Sequence, residues 1–149
     1  MLDDQNNSIE TGPEPTPPAG KVRVKLVSPL QPVIEMEVDK VLIPASKGDI
    51  LILPERAPII FTLRAGKLIT FNGKEQKTFY VSKGVCEVRR NICPVLAWTV
   101  AEGGMTRAEI QERLKVTQHN LERAATSDNK KEIMDRIDFL NFMLKEVRE

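Results

Sequence analysis

From Lys21 onward the chain alternates between apolar and polar residues with a period of two. Val22, Val24 and Leu26 interleave with Lys21, Arg23 and Lys25, the pattern of a strand with one face buried. Ile34, Met36 and Val38 interleave with Glu35, Glu37 and Asp39, and Val41 and Ile43 carry the period on. Short apolar runs follow: Ile50-Leu51-Ile52-Leu53 before Pro54, Ile59-Ile60-Phe61-Thr62-Leu63 before Ala65-Gly66, Leu68-Ile69-Thr70-Phe71, and Thr78-Phe79-Tyr80-Val81. Asn72-Gly73 marks a hairpin turn, since both residues tolerate positive φ. Residues 85–88 and 92–100 flank Arg89-Arg90-Asn91, a second hairpin turn. Short strands with turn signals this closely spaced predict a β-sandwich or barrel over residues 21–101. Trp98, inside the last apolar run, is expected in the core.

After Gly103-Gly104 the period changes. Thr106-x-x-Glu109 has the form of a capping box, in which the hydroxyl caps one free N–H and the carboxylate reaches back to another. Ile110, Leu114, Thr117, Leu121 and Ala124 then recur at spacings of four and three. Thr126-Ser127-Asp128-Asn129 breaks the pattern, and Ile133, Ile137, Leu140, Leu144 and Val147 resume it. Residues 105–149 thus read as two antiparallel helices of about 20 residues and about 30 Å each. The fold class expected is mainly β plus α: an N-terminal antiparallel β-sandwich followed by a C-terminal antiparallel two-helix hairpin.

The second helix carries more apolar residues than one seam can bury. At 100° per residue Phe142 lies opposite the Ile133–Val147 stripe, and Phe139 and Met143 lie toward its back and flank. These three pack on the sandwich, or are scattered exposed residues of no consequence, or belong to a helix that can leave the hairpin and dock elsewhere.

Residues 1–20 hold four prolines, four acids (Asp3, Asp4, Glu10, Glu14) and no basic or aromatic residue, the composition of a disordered tail. The net charge of +1 is uneven: residues 21–101 have 13 basic and 7 acidic residues, residues 102–149 have 9 and 10. The mild positive charge of the middle segment would suit an acidic partner, nucleic acid or anionic lipid, but its cations are scattered among strands, as on an ordinary solvated surface. Secretory and organelle-targeting patterns are absent, which leads us to expect a reducing cytoplasm.

Candidate chemistry is sparse. The one histidine, His119, sits among polar residues on the first helix, which leaves no basis for a His-based triad or metal cluster. Cys86 and Cys93 bracket a hairpin turn and read as small buried hydrophobes. No phosphate-cradling glycine loop occurs, and 5% aromatic content is too thin for a base-stacking platform. No catalytic residue, cofactor or metal is expected, and a binding or structural subunit is favoured over an enzyme.

The stretch Gly48-Asp49-Ile50-Leu51-Ile52-Leu53-Pro54-Glu55-Arg56-Ala57-Pro58 resembles the pattern Gly-acid-x-Gly-Ile-x-Pro-Gly-His-Ala-Pro of the epsilon subunit of bacterial and chloroplast F-type ATP synthases. Val27-Ser28-Pro29, the segment from Phe79 through Val88, and Val95-Leu96-Ala97 are similar to other strands of that family, and the resemblance spans residues 22–149. It implies a central-stalk subunit that couples ion-driven rotation to ATP synthesis and whose helices, when extended, inhibit ATP hydrolysis. The implied partners are the gamma subunit, the c-ring and, for extended helices, the alpha/beta catalytic hexamer, with no nucleic acid and no direct membrane insertion. The implied location is peripheral, at the cytoplasmic face of a bacterial plasma membrane.

By position, Asp49 matches the acid that faces the c-ring, and Ser28 and Arg56 match positions that face gamma. Phe139, Phe142 and Met143 are the candidate contacts of the switch helix. Arg56 replaces a His, and Glu55 and Leu51 replace glycines. The family's ATP-binding form opens its first helix with an Asp and an Arg where Thr106 and Glu109 stand here, so tight ATP binding is not expected. The alternative is a free-standing β-sandwich adaptor with a coiled-coil hairpin.

Overall fold

A computed structural model describes residues 14–29, 31–124 and 126–147. Residues 1–13 of the tail expected over residues 1–20, and the last two residues of the hairpin, lie outside the described residues. Ten strands are followed by two helices. The strands are β1 (Val22–Ser28), β2 (Gln31–Val38), β3 (Lys40–Ala45), β4 (Gly48–Ile52), β5 (Ile59–Leu63), β6 (Gly66–Asn72), β7 (Glu75–Val81), β8 (Gly84–Val88), β9 (Ile92–Ala97) and β10 (Val100–Glu102). The helices are α1 (Arg107–Glu122) and α2 (Ser127–Glu146).

The strands hydrogen-bond in the order β10-β7-β6-β3-β5-β8-β9-β1-β2, with β4 on the free edge of β3. β3 serves both layers of the sandwich: its first half pairs with β6 and its last residue, Ala45, with Leu63 of β5. All pairings are antiparallel except β1 with β9, where Arg23 lies opposite Ile92 and Val27 opposite Leu96. The alternation in the sequence maps onto burial: Val22, Val24, Leu26, Val41, Ile43, Leu68, Val81, Cys86 and Val95 fill the core, while Arg23 and Lys25 point outward. Burial of these branched chains drives the fold at about 25 cal/mol per Å² of apolar surface removed from water.

Turn chemistry explains the corners. Asn72 is the last residue of β6 and pairs with Glu75, so the two-residue loop is Gly73-Lys74, one residue later than expected, with Gly73 at φ +64. Asp39 accepts from the Gly73 N–H at 2.7 Å and from Lys21 Nζ at 2.7 Å, which ties this loop to the β2–β3 corner. Arg90 and Asn91 both have positive φ, 56° and 63°, as a type I′ hairpin loop requires.

The expected strand over residues 92–100 is broken. β9 ends at Ala97 and β10 begins at Val100, because the chain leaves β8 and β1 to pair with β7. Trp98 falls at the break and is 66% exposed, so it is not a core residue. The apolar run fixed that a strand was present and left open which residues face inward: Val95 and Ala97 do, Leu96 and Trp98 do not.

The capping box at α1 forms in full: the Thr106 Oγ accepts from the Glu109 N–H at 3.1 Å, and Glu109 Oε1 accepts from the Thr106 N–H at 2.8 Å. Thr126 caps α2. Arg107, at the start of α1, donates to the carbonyls of Leu144 (2.8 Å) and Val147 (3.3 Å) at the end of α2, which fixes the antiparallel register. Gly103 donates to Thr78 O at 2.7 Å and Gly104 takes φ +99, so the sandwich–hairpin junction is held on one side and turns sharply on the other.

Candidate partner-binding surface

Strand register sorts the candidate residues between the two ends of the sandwich. Leu63 lies opposite Gly84, and Gly84 opposite Ala97; Ile59 lies opposite Val88, and Arg89 opposite Ile92. Ser28, past Val27 and its partner Leu96, belongs to the Gly84 end. Asp49, opposite Pro44 on β3 and next to the Ala45–Leu63 pair, belongs to that end too. Arg56 lies at the other end, in the loop between β4 and β5 near the Arg90-Asn91 turn.

The environments differ. Asp49 is exposed on β4 and its carboxylate is engaged by Arg64 Nη2 at 2.7 Å, while Arg64 Nη1 donates to Ala45 O at 2.6 Å. The Ser28 hydroxyl lies 3.1 Å from Gln31 Oε1. Arg56 is exposed and follows Glu55, which keeps φ +67 although it is not a glycine. Asn91 accepts the Glu55 N–H at 2.6 Å and returns a bond to Glu55 Oε2 at 3.0 Å, and this exchange offsets the backbone strain of a side chain in the left-handed region.

Beside Ser28 the outward face of β1, β9 and β8 is apolar. Val27, Val85, Leu96 and Trp98 line a shallow groove with Ser28 and Pro29, and Leu96 and Trp98 are 45% and 66% exposed. Gly84 floors it: a Cβ there would come 1.9 Å from Leu96 O, so β8 and β9 approach closely at this end only with glycine. Sequence reasoning missed Trp98 because alternation marks inward positions only once the register is known.

A second apolar centre joins hairpin to sandwich. Phe139 and Met143 of α2 are buried with Leu140 and Ile110 against Tyr80 of β7, and Phe142 is half-buried beside them. The Phe139 and Phe142 rings lie 6.1 Å apart, and Lys67 of β6 reaches Glu146 at 3.5 Å. The surplus apolar face of α2 is therefore largely buried in this folded arrangement, by Tyr80 of the sandwich together with Ile110 of α1.

Cys86 and Cys93 are free and fully buried, their sulfurs 3.5 Å apart. The hydrogen bond shared with Cys86, with burial, pushes the Cys93 thiol well above its ordinary range. Among the described residues no three His, Cys, Asp or Glu side chains gather where they could hold a metal ion, and no helix is long and apolar enough to cross a membrane. The Glu109 carboxylate is committed to the helix cap.

Residues 21–103 match the family model for the ATP synthase, Delta/Epsilon chain, beta-sandwich domain. The chain is 31% identical over 110 residues to the ATP synthase epsilon chain of Rhodospirillum rubrum, covering 72% of this chain and 82% of that one. It is 37% identical over 90 residues to the ATP synthase epsilon chain of Granulibacter bethesdensis, covering 58% and 67% respectively. Among solved structures, a chain of the Euglena gracilis mitochondrial ATP synthase complex with OSCP, F1 and c-ring superposes with TM-score 0.60 at 14% identity, covering 97% of this chain and 98% of that one. A chain of the Tetrahymena thermophila mitochondrial ATP synthase central stalk and c-ring superposes with TM-score 0.51 at 16% identity, covering 83% and 96%.

Proposed function

The chain belongs to the ATP synthase delta/epsilon family, and on that premise we propose that it is the epsilon-type subunit of a rotary central stalk, docked on gamma through the outward face of β1, β9 and β8. The observation that carries this reading is the groove of Val27, Val85, Leu96 and Trp98 beside Ser28. A tryptophan two-thirds exposed among aliphatic neighbours is the kind of anchor that dominates protein interfaces. Ser28 and Arg56, at opposite ends, are separated by roughly the length of β8, about 17 Å for five residues at 3.4 Å each. A standard interface covers about 800 Å² per partner, so one gamma contact can span both.

Asp49 supplies the c-ring contact in this reading, with Arg64 holding its carboxylate in place before the partner arrives. The subunit transmits torque without catalysing the reaction, binds no ATP tightly, and sits peripherally at the cytoplasmic face of a bacterial plasma membrane. Its hairpin acts as a switch. Folded, Phe139, Phe142 and Met143 pack in one cluster with Tyr80 and Ile110; extended along gamma toward the alpha/beta hexamer, they need an equivalent apolar surface there, and in that state the helices inhibit hydrolysis.

Affinity purification of the tagged chain from its host's membranes tests the assignment. Recovery of gamma with the c-ring is the expected result; recovery of neither would favour a free-standing adaptor.

A further inference from the structure

Residues 14–20 fold back on the sandwich. The Lys21 N–H donates to Pro18 O at 3.1 Å, Arg23 Nη1 donates to Pro15 O at 2.7 Å and to Glu14 Oε2 at 3.0 Å, and Lys25 Nζ pairs with Glu14 Oε1. Pro17 is buried. Read upstream, the segment therefore travels along the outward side of β1 from Lys21 toward Lys25, in the direction of Ser28 and the Trp98 groove.

The two cations it covers differ in what else they hold. Arg23 also pairs with Glu37 at 2.8 Å and Glu35 at 3.5 Å, so it stays neutralised without Glu14. For Lys25, Glu14 is the pairing carboxylate among the described residues. Lys25 lies two residues from Val27 on the same outward face, beside Pro94 of β9 and next to the position where Val27 meets Leu96. A lysine thus borders the apolar groove, and an internal carboxylate sits on it. Lys25 also holds the Glu14 carboxyl below its ordinary range, so this fastening is charged at neutral pH.

We propose that Lys25 is a carboxylate-binding position of the docking face and that Glu14, with the N-terminal strap behind it, is a built-in competitor for that position. This rests on the reading that the face receives the stalk partner. The matching partner segment carries an acidic side chain about 7 Å, two strand residues, from an apolar one that enters the groove. The competition is intramolecular, so the strap lowers apparent affinity by the fraction of time it vacates Lys25 and does not abolish docking. A strap seated nine-tenths of the time costs about tenfold.

The test is calorimetric titration of the full chain into purified gamma subunit. Glu14→Gln is expected to tighten binding about three- to tenfold, and deletion of residues 1–17 at least as much. Lys25→Gln is expected to weaken binding, and to remove the gain when combined with Glu14→Gln. An unchanged or weakened affinity in both Glu14→Gln and the deletion overturns the proposal, because the strap would then be passive or part of the interface. So does a gain in binding to phosphatidylglycerol vesicles with none to gamma, which would make Lys25 a lipid contact. Failure of the docking reading itself shows separately, as wild-type affinity in Trp98→Ala.

Discussion

The rings of Tyr80 on β7 and Phe142 on α2 meet edge to face, 6.1 Å between centroids and 77° between planes. This contact joins the two parts of the molecule, and under the proposed switch it makes the folded and extended hairpin separable by mutation. Tyr80 belongs to the sandwich alone, whereas Phe139 and Phe142 travel with the helix.

Tyr80→Ala is therefore expected to loosen the folded hairpin without harming an extended one. Truncating a buried aromatic removes about 3–5 kcal/mol of packing in a full core, and less here because Tyr80 sits in the small cluster between hairpin and sandwich. Hydrogen exchange along α2 should quicken at least tenfold, and inhibition of ATP hydrolysis in the assembled complex should deepen. Phe139→Ser combined with Phe142→Ser should loosen the hairpin equally and relieve inhibition. Equal effects of both changes on hydrolysis would contradict a switch in which these rings have two docking places.

Glu55 makes a prediction with an unusual sign. Its φ of +67 favours glycine, and its side chain contributes one bond to Asn91. Relief of left-handed strain is worth about 1–2 kcal/mol, against about 0.5–1.5 kcal/mol for the lost bond. Glu55→Gly should then be neutral or stabilising by up to about 1 kcal/mol in urea unfolding, where Glu55→Ala destabilises by about 0.5–1.5 kcal/mol. Asn91→Ala should cost more than either, because it leaves the Glu55 N–H without its acceptor.

Much of this was legible from residue patterns. Strand positions followed from alternation at Val22, Val24 and Leu26, and α1 began where Thr106 and Glu109 said it should. What pattern could not supply was the choice of face in runs apolar on both sides. Residues 95–98 alternate in and out with no polar marker, so Trp98 read as core when it is exposed. The destination of the Phe139–Met143 face depended on Tyr80, some 60 residues away in the chain, and no local signal connects them. The seating of Glu14 was likewise invisible, because composition described its segment only as one unable to form a core of its own.

The buried thiols predict an alkaline weakness. Cys93 is held neutral in the folded state, by its hydrogen bond with Cys86 first and by burial second. The unfolded thiol ionises near its ordinary value of about 8.5, so the unfolded state gains stability by losing a proton above that pH while the folded state does not. Stability is thus complete below about pH 8.5 and declines as pH rises beyond it. A Cys86→Ala, Cys93→Ala double variant should be less stable at neutral pH but show a flatter alkaline limb. Neither thiol should react with an alkylating reagent until the sandwich unfolds. Rapid alkylation of native protein would show that the pair is not sealed as described.

The central claim is that the groove around Trp98 is where this subunit meets the stalk. Its most direct test is the affinity of purified gamma for Trp98→Ala beside wild type, with melting temperature as the check that the exposed substitution leaves the fold intact. A hot-spot anchor predicts a loss of about 2 kcal/mol or more, at least thirtyfold in Kd, with an unchanged melting point. Wild-type affinity in Trp98→Ala would contradict the account and move the docking surface elsewhere on the sandwich.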